Sequence, residues 1–127
     1  MADTDIATFL RYADAFERAY ASDNWEEVRE FFAEEAVYEV EGGGPMAGIW
    51  KGRDLIVAHL MESVNQFDRT YDSRALSVTS GPEMRNGGVH VGWRAAYTKA
   101  GRPDVVVDGE EEAWFRDGKI IRLKDRM

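Results

Sequence analysis

Apolar residues recur at three- and four-residue spacings through Ile6, Phe9, Leu10, Ala13, Phe16 and Tyr20, which predicts an amphipathic helix after Asp3 or Thr4. A second helix is expected from near Asp23, where Asp23-Asn24-Trp25-Glu26 has the form of a capping box. Its buried stripe would be Trp25, Val28, Phe31 and Phe32, and its end near Ala36. Residues 37–41 then alternate like a strand, which Gly42-Gly43-Gly44-Pro45 breaks into a loop. A third helix is predicted from after Gly52 to about Phe67, burying Leu55, Ile56, Leu60 and Val64. Beyond it the period changes to two. Strands are expected over 74–80, 89–98, 105–115 and 119–126, separated by Gly81-Pro82, Asn86-Gly87-Gly88, Ala100-Gly101 and Asp117-Gly118. Helices first and an antiparallel meander afterwards make an α+β domain, in which a curled sheet around a long helix would enclose a pocket.

The last two strands carry the sharpest chemical signal. Val105, Val107, Ala113 and Phe115 share the odd-numbered face of one strand, and Ile121, Leu123 and Met127 that of the other. Period-two geometry puts Glu111 and Asp125 on the same apolar face. Matching those faces requires a loop with an odd number of residues, and a three-residue loop at Asp117-Gly118-Lys119 satisfies it. Glu111 then stands directly opposite Asp125, with Cβ atoms about 4.5–5.5 Å apart. Two carboxylates that close on a buried face do not both ionise readily, so one pKa should rise. The bland alternatives are that Glu110-Glu111-Glu112 is a solvated acidic run and that Asp125 lies in a frayed strand end.

Composition narrows the function classes. The chain has 127 residues, 44% of them hydrophobic, enough for one core. A net charge of −8 argues against nucleic acid and against an anionic membrane as partners. With no cysteine, disulfides and thiolate metal sites are excluded. No closely spaced ligand motif points to a metal, and no cofactor is expected. The Met1 to Asp5 segment is acidic and unlike a signal peptide, and no apolar run approaches bilayer length, so a cytoplasmic protein is expected.

The order of elements and four local segments resemble the nuclear transport factor 2-like superfamily, which includes SnoaL-like polyketide cyclases and ketosteroid isomerases. The segments are Asp23-Asn24-Trp25-Glu26, Phe31-Phe32-Ala33-Glu34-Glu35-Ala36, Lys51-Gly52-Arg53-Asp54 and Phe115-Arg116-Asp117-Gly118-Lys119-Ile120. The resemblance covers almost the whole chain and implies one SnoaL-like domain over residues 1–127. It implies a cystatin-like roll: a cone-shaped, curved antiparallel sheet wrapped around three N-terminal helices, often dimeric, with an apolar cavity at the open end. The ketosteroid isomerases use a helix-one tyrosine and a first-strand aspartate, whose matching positions here are Phe16 and Val40; their third group, an acid on the penultimate strand, matches Glu111. The limonene epoxide hydrolase-like members use an arginine and two aspartates; Glu111 and Asp125 are similar in placement to the acids, but the arginine position corresponds to Gly109. Arg74, on the face of Leu76 and Val78, is a candidate replacement.

These readings nominate Asp125, Glu111 and His59 as catalytic. His59 borders the buried stripe of helix three, where a satisfied structural histidine is the plainer reading. Tyr38, Val40, Trp93, Tyr97, Phe115, Phe16 and Leu123 are expected to line a substrate site, although core packing is the commoner use of such aromatics. His90 falls on the outer face with Arg94 and is not nominated. The Gly42 to Gly44 run lacks a phosphate-loop context and reads as a flexible rim or lid. On the outer face Glu110, Glu112 and Trp114 oppose Arg122, Lys124 and Arg126, a pattern suited to a two-fold homodimer or to a plain solvated surface. Three functions remain open: a cofactor-free proton-transfer enzyme (isomerase, cyclase or dehydratase type) on a small hydrophobic, oxygenated molecule; a non-catalytic ligand-binding dimer; and a structural dimer with a filled cone.

Overall fold

The amphipathic pattern of the first twenty residues does fold as a helix, α1 (Ala2–Ser22), in the computed structural model, which describes residues 2–127. Its buried side is Thr8, Phe9, Tyr12, Ala15 and Ala19. Leu10, expected inside, is 46% exposed because the stripe is centred one position away from the one read off the sequence. The Asp23–Glu26 segment is not a capping box. Asp23 adopts a left-handed φ of 63° and accepts the Trp25 indole N–H at 3.2 Å, while Asn24 Oδ1 accepts the Glu26 amide at 3.2 Å. The helix that follows, α2 (Glu26–Glu30), is a single short turn and a half. The chain is already extended at Phe32: β1 spans Phe32–Glu41, so the residues expected to finish the second helix are strand. Their burial alternates irregularly, with Phe32, Ala36, Tyr38 and Val40 inside.

A short strand that the sequence reading missed, β2 (Gly48–Lys51), pairs antiparallel with β1. The Gly42–Gly44 run is part of the connection between them, and a 3-10 turn at Gly44–Met46 completes it. Next comes α3 (Arg53–Gln66), burying Ile56, Val57, Leu60 and Val64. Leu55 is 60% exposed, with Val57 taking the inward place assigned to it. The remaining strands are β3 (Ser73–Arg85), β4 (Gly88–Thr98), β5 (Val105–Arg116) and β6 (Lys119–Arg126). No helix among the described residues is long and apolar enough to cross a membrane.

The six strands form one sheet in the order β2-β1-β6-β5-β4-β3. Most neighbours are antiparallel, but β1 and β6 run parallel, so the sheet is mixed rather than the antiparallel one expected. Nor do three helices precede it: β1 and β2 come between α2 and α3. The cone itself is as expected, a curved sheet closed over helices on one face.

The hairpin between β5 and β6 reaches the expected register by a different route. Asp117 and Gly118, with φ of 53° and 75°, form a two-residue turn of the mirror-image kind that suits strand twist. Phe115 therefore pairs with Ile120. The register then shifts by one, so that Trp114 pairs with Arg122 and Glu111 with Asp125. This is a bulge at Ile121, one extra residue that re-aims the strand. It also explains why Ile120 rather than Ile121 is fully buried in the core.

Candidate functional site

A single cross-strand row on the concave face holds the acids: Val40 pairs with Asp125, Asp125 with Glu111, and Glu111 with Val91. The row is placed by apolar alternation on both sides, since Tyr38, Leu123, Ala113 and Val89 form the next row and are all buried. Asp125 is 9% exposed, and Glu111 is partly buried. The Tyr38 hydroxyl donates to Asp125 Oδ2, which fixes the carboxylate plane. Asp125 Oδ1 is buried and has no partner in hydrogen-bonding geometry.

Burial raises the Glu111 carboxyl well above its ordinary value, and the adjacent Asp125 charge raises it further. Burial also raises Asp125, against the pull of Glu111 and Tyr38 as donors and of His59. The pair therefore holds a proton to higher pH than ordinary carboxylates do, and Glu111, raised well above its usual value, is the acid that carries it.

Three residues frame the acids. Tyr12 on α1 is buried, and its phenol is raised first by burial and then by the charges of Glu111 and Asp125. The sequence reading overlooked it, although Phe9, Tyr12, Ala15 and Ala19 do recur at helical spacing. Trp50 on β2 stacks on His59 of α3 with ring centroids 3.5 Å apart and planes 14° from parallel, and Tyr38 lies 5.8 Å from the same imidazole. His59 Nε2 sits 3.3 Å from Ser63 Oγ. Burial lowers the His59 pKa, so the ring is neutral at pH 7. Trp50 was not among the nominated site residues, because four residues of strand give too little alternation to settle whether its ring belongs to the core or to a pocket wall.

The other nominated positions divide. Val40 lies in the acid row, and Leu123 is fully buried beneath it as core. Phe115 packs against the core from a half-buried position. Trp93 pairs with Gly109 one row beyond Glu111, and its indole covers that glycine so closely that a Cβ there would overlap the ring. The indole thus occupies the space above Gly109, where the epoxide hydrolase-like arginine would stand. Phe16 instead packs edge-on against Trp25 at 5.4 Å. Tyr97 lies six residues along β4 from Val91, about 20 Å of strand. There its hydroxyl donates to Asp68 at 3.0 Å among Phe67 and Tyr71. Arg74 belongs to that cluster, bound to Glu17 at 2.7 Å and Asp68 at 3.1 Å, and does not replace the missing arginine.

His90 is on the outer face, as its phase required, yet it is only 3% exposed. Its Nε2 lies 3.3 Å from Glu110, and it forms part of a recess of about 310 Å³ with Trp114, Arg122, Lys124 and Arg126. A smaller recess of about 170 Å³ lies at the start of α3, around Arg29, Lys51 and Arg53. Neither includes the acid pair.

A cone of this topology with titratable groups on its concave face defines a class of α+β proteins rather than one activity. The SnoaL-like domain matches residues 11–123, and the chain belongs to that family, within the nuclear transport factor 2-like superfamily. Among solved structures it is similar to Bal32a from a soil-derived mobile gene cassette, at 20% identity and a TM-score of 0.73 over 98% of this chain and 88% of the other. A candidate isomerase from Rhodopseudomonas palustris matches at 16% identity and a TM-score of 0.73, over 94% and 87% of the two chains. A candidate SnoaL-like polyketide cyclase from Jannaschia sp. CCS1 matches at 16% identity and a TM-score of 0.73, over 98% and 85%. These likenesses establish the fold. No curated protein matches the sequence.

Proposed function

We propose that the chain holds a small apolar, oxygenated molecule against the concave face of its sheet and moves a proton on it without a cofactor. The observation that carries this reading is the directly opposed pair of Glu111 and Asp125 on that face. A neutral acid beside a carboxylate can donate one proton and accept another at neutral pH. Glu111 would supply the proton and Asp125, oriented by Tyr38, would receive one. His59, neutral and clamped by Trp50, would orient a carbonyl or hydroxyl, with Tyr12 and Trp93 completing the wall. Isomerisation and cyclisation, the reactions in the names of two structural neighbours, both need such transfers.

A second reading keeps the ligand and omits turnover: a non-catalytic binding homodimer. It is supported by the phenylalanine and valine at two isomerase positions and by the outer face. There the strands alternate in sign, with Glu39 and Glu41 on β1, Arg122, Lys124 and Arg126 on β6, Glu110 and Glu112 on β5, and Arg94 on β4. Such stripes can pair with their own two-fold copy.

Carboxyl-carbon NMR titration, with Glu111→Gln and Asp125→Asn used to assign the signals, tests the first reading. A coupled pair with one apparent pKa well above about 5 is expected. Two independent titrations near the ordinary value of about 4 would remove the dyad and leave the binding reading. Sedimentation at low and high salt reports on the dimer.

A further inference from the structure

Fixed groups close in the acid pair on most sides. The row behind it, Tyr38, Leu123, Ala113 and Val89, is at most 4% exposed. Buried Tyr12 faces it from α1. On the α3 side the His59 ring is stacked on Trp50 at 3.5 Å and meets Ser63 at 3.3 Å. Neither surface recess reaches the pair. A molecule that exchanges a proton with Glu111 must therefore pass through a wall. The wall left is the row in front: Val78, Trp93 and Gly109, continued by Met127 beside the Glu110–Arg126 pair.

That row is built differently from the others. Gly109 brings no side chain to it, and the Trp93 indole lies across the gap so closely that a Cβ there would overlap the ring. At the far end Met127 rests on the glycine loop, where a Cβ on Gly43 would meet its terminal methyl at 3.4 Å. The seal is thus one indole and one flexible thioether laid over glycines. The other three tryptophans are pinned. Trp25 donates to Asp23 and meets Phe16 edge-on, Trp50 stacks on His59, and Trp114 donates to Asn86 beneath Arg122. Trp93 is held by its seat on Gly109, and among the described residues it has neither a ring partner nor an acceptor for its N–H. Its cross-strand neighbour Val78 is 61% exposed on the edge strand β3, whose register shifts just beyond that residue. Such a bulge bends an edge away, and the space on that side of the indole is open.

We propose that Trp93 is the gate of the site: its indole turns off Gly109 toward Val78, and the ligand's apolar frame takes the place it leaves, with an oxygen directed at the neutral Glu111. This rests on the reading of the concave face as a ligand site and adds the entry route and the size of the ligand to it. Gly109 serves both states, as the seat of the indole when the gate is shut and as the floor under the ligand when it is open. The vacated space is that of an indole, so the frame admitted is flat and of one or two rings. Met127 yields with the gate, and the closed state keeps water from the proton on Glu111 between turnovers.

The test uses 2-naphthol, a two-ring frame with one hydroxyl, in NMR titrations of the full chain. In the parent it should shift the Trp93 indole N–H and the Glu111 carboxyl carbon together and leave Trp114, on the outer face, unmoved. Trp93→Ala should let water reach Glu111, so that its carboxyl titrates closer to the ordinary range, and 2-naphthol should associate about tenfold faster or more. Trp114→Ala should change neither quantity. Met127→Ala should move both in the same direction as Trp93→Ala, and it carries the test if that variant does not fold. An unchanged Glu111 titration and an unchanged association rate in the gate variants overturn the proposal. If 2-naphthol moves Glu111 in the parent while the Trp93 signal stays, the ligand enters elsewhere: the gate falls and the ligand-site reading stands. If the variants lower the Glu111 titration but 2-naphthol moves neither acid in any of them, the gate stands and the ligand-site reading loses its support.

Discussion

Replacing Glu111 with glutamine keeps the shape of the neutral acid and deletes its titration. Burial and the Asp125 charge hold the folded-state pKa of Glu111 well above the value of about 4.3 expected in the unfolded chain. At pH below about 4 both states carry the proton, and the two proteins differ by a constant. As pH climbs above this, the unfolded chain loses its proton while the folded one keeps it, so the parent loses stability. One proton corresponds to about 1.4 kcal/mol per pH unit, and the loss continues until pH passes the folded-state pKa. The glutamine side chain, which does not titrate, has no such slope. The advantage of Glu111→Gln over the parent therefore widens by up to about 1.4 kcal/mol per unit within that window and then levels off. Acids held below their usual range by exposed arginines, such as Glu27 and Asp108, are present in both proteins and cancel from the difference. Urea unfolding of both proteins at several pH values from about 4 to 8 reads the effect directly. A difference that stays flat across that range, or narrows, would mean that Glu111 ionises like a surface acid and that the inner-face pairing has been misjudged.

Three further outcomes follow from the geometry. Tyr38→Phe leaves Asp125 Oδ2 buried without its donor and should cost roughly 1–3 kcal/mol in urea unfolding, with the Asp125 carboxyl titrating higher still; an unchanged midpoint would make that hydrogen bond worthless. Gly109→Ala drives a methyl into the Trp93 indole and toward the Arg126 carbonyl, and a loss of roughly 1–3 kcal/mol with altered tryptophan fluorescence is expected. Leu55→Gln, at an exposed position despite its apolar neighbours, should leave stability within about 0.5 kcal/mol, and a larger loss would place that side chain in a contact this structure does not contain.

The sequence made the inner acids legible because alternation needs only a correct strand and a correct parity. Apolar residues two apart on both sides of Glu111 and Asp125 supplied both. The route to the register was not legible. A bulge at Ile121 has no signature of its own, and a two-residue turn plus a bulge gives the same pairing as a three-residue loop. Helical stripes were readable to within one position, which was enough to place α1 and α3 but not to choose Tyr12 over Leu10 or Val57 over Leu55. The Phe31–Ala36 segment was misread because Phe31, Phe32 and Ala36 continue the helical spacing of Val28, while the pairing of β1 with β6 that makes the segment a strand involves residues far apart in the chain. Tyr97 illustrates the limit of facing arguments. Its phase was right, but phase says nothing about distance along a strand, and the hydroxyl is committed to Asp68.

The position of β6 also bears on how the molecule assembles. It is the last strand in chain order, yet it lies between β1 and β5 and provides the sheet's link between them. The hairpin of β1 with β2, and the meander of β3, β4, β5 and β6, can each form from neighbouring residues. The two join only when β6 pairs with β1, closing a loop of more than 80 residues. Loop closure on that scale makes folding slow relative to a helical bundle of equal size, since non-local pairing must be reached before it is rewarded. Because Glu111 and Asp125 face each other across the local β5–β6 hairpin, the acids meet before that long-range step, and Tyr38 reaches Asp125 only with it: a chain stalled one step short of the native state would have two half-sheets and an acid pair without its tyrosine donor.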